Sequence, residues 1–234
     1  MKRFIAFLLS AILLLPLCAC FQEGALPDAT QTHETEAPKN TQSPKNGKTI
    51  VVDAGHGGAD GGAVGSNTGV TEASLNLAVA MLLKDELLMR GYDVIMTRTD
   101  EDALADTKLE DMHQRRDIIN SQGVDAVICV HMNKFSDAAI SGPMAFYYKE
   151  TKEMEKFAKA ILDGVCDSIG RPRRHANPGD YYLIRISEPP CVIVECGFLS
   201  NPDDEAALQT HEHQLLLVQG IANGLDAFLF GEGA

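Results

Sequence analysis

Six short apolar runs, separated by helical patterns, constrain the fold of this chain more than any other feature. The runs have the length of β-strands and occupy residues 49–54, 92–97, 125–131, 144–148, 181–185 and 191–195. Amphipathic patterns at 71–90, 151–169 and 211–229, and a more polar one at 107–121, predict helices between them. Because the apolar residues follow one another without alternation, both faces of each strand are expected to be buried. The order predicts a three-layer α/β domain, in which helices cover both faces of a mostly parallel or mixed, twisted sheet of roughly six strands.

The first 20 residues have the form of an export signal. Lys2 and Arg3 precede an apolar run over residues 4–17, which is shorter than the roughly 20 residues of a membrane-spanning helix. The run ends in LCAC, which resembles a bacterial lipobox and would make Cys20 the lipid-bearing first residue of the mature protein. An uncleaved membrane anchor and ordinary signal cleavage near Ala19 are the alternatives.

Residues 21–47 contain few large apolar side chains and many Thr, Pro, Asn, Gln, Glu and Lys residues. Such a segment buries too little apolar surface to offset its conformational entropy, so it is predicted to be a flexible tether. Residues 48–234 are long enough for a single domain with its own core. The chain carries a formal net charge of −13, which argues against nucleic acid as a partner because phosphate binding needs a basic surface.

Four cysteines fall within the predicted domain, at Cys129, Cys166, Cys191 and Cys196. Most of them lie in or beside apolar strands, where cysteine behaves as a small hydrophobic residue. Their spacing matches no zinc knuckle and indicates no disulfide framework. The residues leave pairing open, since an exported protein can form disulfides.

Three of the apolar runs stop at a group that can bind a metal or move a proton. His56 follows the first run closely, His131 ends the run at 125–131, and Glu195 ends the run at 191–195. Ligands of α/β sheets gather outside the carboxyl ends of the strands. We therefore expect these three side chains to form one site, although they are far apart in the chain.

The two histidines suggest a zinc site. Catalytic zinc takes three protein nitrogen or oxygen ligands and keeps one position open for water. His56 and His131 supply two imidazoles, and a carboxylate could supply the third ligand. Glu72, at the start of a predicted helix, is a candidate, although a first-turn acid is also favoured by the helix dipole alone. The residues by themselves do not distinguish Glu72 from Asp53 or Asp60.

Glu195 is the candidate catalytic group. It ends the most apolar run in the chain, where a carboxylate is costly unless it is paired or lies next to a metal. A pKa raised toward the working pH would suit a general base. The alternative is a structural ion pair with Arg185 or Arg98.

An ordered set of segments resembles one enzyme family over the region from Thr49 to Phe230. The segments are VVDAGHGGADGGAVG, TEASLNLAVA, GYDVIMTRTD, RRDIIN, AVICVHMN and CVIVECGFLSN. Each is weak alone, but together and in this order they are specific. They resemble the catalytic domain of the zinc-dependent N-acetylmuramoyl-L-alanine amidases of the Amidase_3 type.

The resemblance implies a role for each site residue. It implies one Zn²⁺ per chain bound by His56, Glu72 and His131, and so selects Glu72 among the three carboxylates left open above. It implies that Glu195 is the catalytic carboxylate. Asn133, retained after His131, and Arg185 are the candidates for contacting substrate or orienting a ligand.

The implied activity is hydrolysis of the amide between the lactyl group of N-acetylmuramic acid and L-alanine of the stem peptide. A non-catalytic peptidoglycan-binding lipoprotein and a zinc amidase acting on soluble muropeptides are the alternatives. The expected partners are peptidoglycan, a membrane reached through the N-terminal lipid or anchor, and an activating protein of unknown identity. The expected location is the bacterial cell envelope, at the outer surface of the membrane.

Overall fold

The computed structural model describes residues 45–149 and 151–231. The predicted export signal with Cys20, and nearly all of the predicted tether, lie outside these ranges. Within the described part of the chain, none of the helices is both long enough and apolar enough to cross a lipid bilayer.

A six-stranded mixed sheet forms the centre of the domain. Its strands are β1 (Thr49–Ala54), β2 (Asp93–Met96), β3 (Ala126–Asn133), β4 (Met144–Tyr147), β5 (Asn177–Pro178) and β6 (Cys191–Phe198). They are arranged in the order β2-β1-β3-β6-β4-β5. The first four of these are parallel to one another, β4 is antiparallel to β6, and β5 is parallel to β4. The carboxyl ends of β1, β3 and β6 therefore meet at one edge of the sheet.

Six helices flank this sheet in the described residues. They are α1 (Glu72–Met89), α2 (Lys108–Ile119), α3 (Lys152–Ser168), α4 (Tyr182–Ile186), α5 (Pro202–Leu208) and α6 (His211–Phe230). The four longest each begin after a threonine whose side chain accepts a hydrogen bond from a backbone N–H of the first turn. A cap of this kind stabilises a helix by about 1 kcal/mol.

The two faces of the sheet bury separate apolar clusters. Ile50, Val52 and Ile128 pack with the helices α1, α3 and α6, whereas Val51 and Val127 pack with residues of α2 and α4. Successive strand residues point to opposite faces, so continuous apolar runs supply both clusters. The three-layer α/β prediction is confirmed.

One predicted strand is wrong. Tyr181 caps helix α4 and residues 182–185 form most of it, and the sixth strand is the short pair Asn177–Pro178. A short apolar run in the sequence does not distinguish a buried strand from a buried helical turn. Here the helical turn buries the adjacent side chains of Leu183 and Ile184 together, which an extended strand would send to opposite faces. Helix α5 was not predicted, although Asn201 before Pro202 is a recognisable cap and first-turn pair.

Helices α3 and α6 approach each other closely enough to exclude side chains. A Cβ added at Gly164 of α3 would lie 2.8 Å from the backbone nitrogen of Gly224 in α6, and closer still to the carbonyl oxygen of Gly220. Glycine is therefore required at the crossing, although alanine is the better helix former.

We expect Gly164→Ala to destabilise the protein by about 2 kcal/mol, lowering the thermal midpoint by roughly 4–8 °C. The exposed Lys156→Ala change in the same helix is the matched control, expected to alter stability by less than about 0.5 kcal/mol. Thermal unfolding followed by circular dichroism measures both. A higher midpoint for Gly164→Ala, as helix propensity alone would give, would show that the helices are not in close contact.

Candidate active site

The site lies across the carboxyl ends of adjacent strands, on the face covered by α2 and α4. His131 of β3 is the register partner of Glu195 of β6, and Met144 of β4 lies opposite Glu195 on its other side. Register partners in a sheet share a face, so these three side chains form a row. His56 lies two residues beyond the end of β1, beside this row.

Glu72 lies between the two imidazoles. Its Oε1 atom is 3.1 Å from Nε2 of His56 and 2.8 Å from Nδ1 of His131. The three ligand atoms lie within 4.8 Å of one another. The side chains of both histidines are 21% exposed, whereas that of Glu72 is 6% exposed. Two nitrogens and one oxygen thus converge on a point that is open to solvent on one side.

The loop after β1 holds His56 in an unusual backbone conformation. His56 has a φ of 63°, a left-handed conformation that is uncommon for residues other than glycine. Arg115, fully buried on α2, donates to the carbonyl oxygens of His56 at 2.6 Å and of Ala54 at 2.8 Å. The same guanidinium is anchored by an ion pair with Asp53 at 2.7 Å. A buried arginine therefore fixes the turn that aims His56 at Glu72.

Contacts on the far side of the cluster hold the His56 imidazole and the Glu72 carboxylate in place. Asp60 lies 3.0 Å from Nδ1 of His56, which leaves Nε2 facing Glu72. The backbone N–H of Ala63 donates to Oε2 of Glu72 at 2.8 Å. Asp53 forms an ion pair with Arg115. Asp60 lies beside Nδ1 of His56, the nitrogen that faces away from Glu72. Of the three carboxylates left open by the sequence, Glu72 is the one placed between the histidines.

Two glycines leave the space that these side chains occupy. A Cβ at Gly55 would overlap the imidazole of His131, lying 2.8 Å from Nδ1 and closer still to Cε1 and Nε2. A Cβ at Gly62 would lie 2.6 Å from Oε2 of Glu72 and 2.8 Å from Cδ2 of His56. The glycine-rich stretch after β1 therefore leaves the space that the side chains of His56, Glu72 and His131 occupy.

The electrostatics of the cluster favour an ionised carboxylate. Burial opposes ionisation of Glu72, but hydrogen bonds from His131 and His56 hold the pKa of its carboxyl well below its usual range. Burial also opposes a charge on His56, but the hydrogen bonds and charges of Glu72 and Asp60 raise the pKa of its imidazole. The surroundings therefore favour positive charge at the point where the ligand atoms meet.

Glu195 has the opposite environment. Its Oε2 atom is buried and has no hydrogen-bond partner. Burial, reinforced by the charge of Glu72 and opposed by the nearby histidines, raises the pKa of its carboxyl to about 7. The alternative of a structural ion pair is wrong, because Arg98 donates to backbone carbonyls and Arg185 pairs with Asp180 at 2.7 Å. A carboxylate without a partner, next to the cluster, is free to exchange a proton.

Two cavities open on either side of this row. The first, of about 250 Å³, is lined by His56 and His131, by charged side chains from β1, α2 and the loop after β1, and by apolar and aromatic side chains from α2, β3, α4 and β6. The second, of about 380 Å³, is lined by apolar side chains and by Asn133. Tyr181 lines both cavities. Arg185 lines neither of them, and its side chain is 43% exposed.

Sequence reasoning missed the residues that support the site from behind. Arg115 lies in the segment RRDIIN and Asp53 at the end of an apolar strand. A carboxylate buried at a strand end demands a cationic partner, and that was the available signal. The partner itself could not be identified, because residues 53 and 115 meet only in the folded domain.

Comparisons with known proteins show the family of this chain. A family described as N-acetylmuramoyl-L-alanine amidase (Amidase_3) matches residues 50–227. The chain is 34% identical over 199 residues to the germination-specific N-acetylmuramoyl-L-alanine amidase of Bacillus subtilis (strain 168), covering 81% of this chain and 83% of that protein.

Two solved structures have the same fold. One is the CwlD amidase from Clostridioides difficile in complex with the GerS lipoprotein, with a TM-score of 0.74 and 29% identity, covering 78% of this chain and 98% of that chain. The other is the catalytic domain of CwlV, an N-acetylmuramoyl-L-alanine amidase from Bacillus (Paenibacillus) polymyxa var. colistinus, with a TM-score of 0.70 and 30% identity, covering 78% and 98%. The fold and site define an enzyme of the amidase class. The chain belongs to the N-acetylmuramoyl-L-alanine amidase (Amidase_3) family.

Proposed function

We propose that this protein is a zinc-dependent hydrolase that cleaves the amide between the lactyl group of N-acetylmuramic acid and L-alanine of the peptidoglycan stem peptide. One observation carries the proposal: three ligand atoms converge within 4.8 Å of one another beside a buried carboxylate oxygen that has no partner. The family membership of the chain supports the substrate.

Zn²⁺ fits the side chains that meet here. Two imidazole nitrogens and one carboxylate oxygen are a donor set typical of catalytic zinc. His56, Glu72 and His131 would hold one ion per chain. When bound, the ion supplies Lewis acidity and lowers the pKa of a bound water toward neutrality.

Glu195 would act as the general base and then as the general acid. Its unpartnered oxygen accepts a proton from the attacking water as the water adds to the lactyl carbonyl carbon. It then donates that proton to the L-alanine nitrogen as the C–N bond breaks. A group that does both needs a pKa near the working pH, and the enclosed position of Glu195 supports this role.

A non-catalytic wall-binding protein is a weaker alternative. Such a protein has no need for the ionisable groups of the site, whereas His56, Glu72, His131 and Glu195 are all present. An amidase acting on soluble muropeptides would use the same site. We favour the polymer because the cavities extend on both sides of the cluster.

We further propose that the protein is exported and works at the cell envelope. The signal-like N-terminus and the lipobox-like LCAC support a lipid on Cys20 and attachment to the outer surface of the membrane. The segment 21–47 would then span on the order of 30 Å and bring the domain to the wall. Because the structural neighbour CwlD was solved in complex with the GerS lipoprotein, an activating protein partner is part of the proposal.

Removal of one proposed ligand tests the metal site. We expect His131→Ala to weaken zinc binding by more than about a hundredfold, the upper range seen for the loss of an outer partner of a ligand. The exposed His211→Ala change is the control and should leave the affinity unchanged. Equilibrium dialysis with metal analysis measures this, and circular dichroism checks folding. One ion per chain bound equally well by a folded His131→Ala protein would contradict the assignment.

A further inference from the structure

A second buried arginine, Arg98, lies behind the site. It follows strand β2 and is 4% exposed. It forms an ion pair with none of the carboxylates that the structure describes, and its guanidinium donates to backbone carbonyl oxygens instead. Burying a charge without an opposite charge beside it costs free energy. A cation kept in such a place therefore needs a reason, and the proposed catalytic steps do not use it.

The hydrogen bonds of Arg98 join two segments that carry site residues. Its Nε atom donates to the carbonyl oxygen of Ala54 at 2.9 Å, and its Nη2 atom donates to that of Gly55 at 3.0 Å, directly before His56. The same Nη2 atom donates at 2.8 Å to the carbonyl oxygen of Ala73, which lies in the first turn of α1. One side chain therefore ties the turn that carries a histidine of the cluster to the helix that carries the glutamate.

Asn76, fully buried one helical turn after Glu72, makes a second connection between the same segments. Its amide nitrogen donates to the carbonyl oxygen of Gly55 at 3.1 Å and to Oε1 of Glu72 at 3.4 Å. Its amide oxygen is buried without a hydrogen-bond partner. Because an unsatisfied buried oxygen is unfavourable, the donor side of this amide is the part that the fold uses.

The turn that carries His56 rests directly on the arginine. Gly57 has a φ of 138°, and a Cβ added there would lie 3.2 Å from both Cδ and Nε of Arg98. Arg115 holds the same turn through the carbonyl oxygens of Ala54 and His56. Buried side chains thus hold three successive carbonyl groups, and the turn has little freedom to move relative to them.

We propose that Arg98, assisted by Asn76, is a positioning residue that sets the separation of His56 and Glu72. The assignment rests on the proposed function, in which both side chains hold one zinc ion. Arg98 acts through the backbone on either side of the cluster. A guanidinium carries its donors in a rigid planar fork and can fix several carbonyl oxygens at once, whereas a lysine ammonium is a flexible point charge.

Arg98→Lys in the full chain tests the proposal, because it keeps the charge and removes the planar fork. We expect the zinc affinity, measured by competition with a chelator, to fall about ten- to a hundredfold, as it does when an outer partner of a metal site is lost. Arg90→Lys is the matched control, since Arg90 precedes β2 and forms ion pairs with Glu86 and Asp226. It should lower the thermal midpoint of the metal-free protein and leave the zinc affinity unchanged.

Asn76→Ala is the second variant, and it decides the question if Arg98→Lys does not fold. It removes one of the two side-chain donors to Gly55 together with the unpartnered oxygen. We expect the zinc affinity to fall about tenfold. Asn223→Ala, which changes an exposed asparagine of α6, is the control and should have no effect.

Two further readouts do not follow from a loss of stability alone. The visible absorption spectrum of the Co²⁺-saturated protein reports coordination geometry, and we expect it to change in Arg98→Lys and not in Arg90→Lys. In the metal-free protein, the imidazole NMR signals of His56 should shift in Arg98→Lys, whereas those of the exposed His211 should stay in place.

Wild-type zinc affinity and cobalt spectrum in a folded Arg98→Lys protein would overturn the proposal. A loss of zinc affinity of the same size in Arg90→Lys would overturn it as well, because the effect would then follow from stability. If the wild type binds no zinc, the proposed function fails. The imidazole signals of His56 in the metal-free protein still decide in that case whether Arg98 holds the turn.

Discussion

Glu195→Gln is expected to lose hydrolysis by about 10²- to 10⁴-fold, the usual contribution of a positioned general acid–base group, while still binding one zinc ion. Glutamine has nearly the same shape as glutamate, so it fills the enclosed position without disturbing the register partner His131. What it lacks is the ability to take up and return a proton. The loss should therefore appear in kcat and not in metal content.

Glu188→Gln is the matched control, since it changes an exposed glutamate in the connection that precedes β6. It should retain full activity. Peptidoglycan hydrolysis and metal analysis on the same protein samples give both readouts. Hydrolysis by Glu195→Gln within a factor of about ten of the wild type would reject its role as the base.

The pH dependence follows from the same residue. A general base must be deprotonated, so activity is lost as the pH falls through the pKa of Glu195. The protein surroundings raise that pKa to about 7, chiefly through burial, and a bound cation would lower it. We therefore expect the acidic limb of the kcat profile at or below pH 7, and its absence from any residual activity of Glu195→Gln.

Gly55→Ala should have the second largest effect, although it adds only a single methyl group. That methyl group would overlap the imidazole of His131, and Gly55 is itself held by its N–H bond to the carbonyl oxygen of Val130 at 3.2 Å. The imidazole must then turn away from Glu72. We expect zinc affinity to fall by more than about tenfold, with activity falling in parallel.

Gly61→Ala is the control for this change. It adds the same methyl group in the same glycine-rich loop, where the nearest atom is Cγ2 of Thr71 at an ordinary contact distance of 3.6 Å. It should keep both zinc and activity. Equal behaviour of the two variants in metal analysis would show that His131 does not need the space at Gly55.

The side chains at the strand ends that can bind a metal or move a proton were predictable from sequence for a physical reason. A continuous apolar run has to be buried, and a histidine or glutamate that ends it has to lie at the edge of the sheet. His56, His131 and Glu195 followed from this rule together with the tendency of ligands to collect at the carboxyl edge. Their meeting on one face depends on strand order, which local patterns do not contain.

Local sequence patterns do not identify Glu72 as the third ligand. Asp53, Asp60 and Glu72 are equivalent by residue type, and the choice among them came from the family resemblance. In the fold, Asp53 forms an ion pair with Arg115, a partner 62 residues away. Asp60 lies beside Nδ1 of His56, the nitrogen that faces away from Glu72. These long-range pairings remove two candidates, and they exist only once the chain is folded.

The second cavity was beyond sequence reasoning for a similar reason. Its lining comes from β3 and the loop after it, from β4, from the residue that precedes α4 and from the end of β6, and no single segment carries its signature. The wrong assignment of residues 181–185 to a strand also hid it. A strand would alternate Tyr181 and Tyr182 between the two faces, whereas before the helix Tyr181 lines both cavities.

Digestion of purified peptidoglycan by the full chain, analysed by mass spectrometry, tests the central claim most directly. The reaction is run with zinc, after treatment with a chelator, and after zinc is restored. We predict zinc-dependent release of stem peptides that begin with a free L-alanine amino group, leaving glycan strands with intact lactyl groups. Release of fragments cut at any other bond, or no release by a folded protein containing one zinc per chain, would contradict the account.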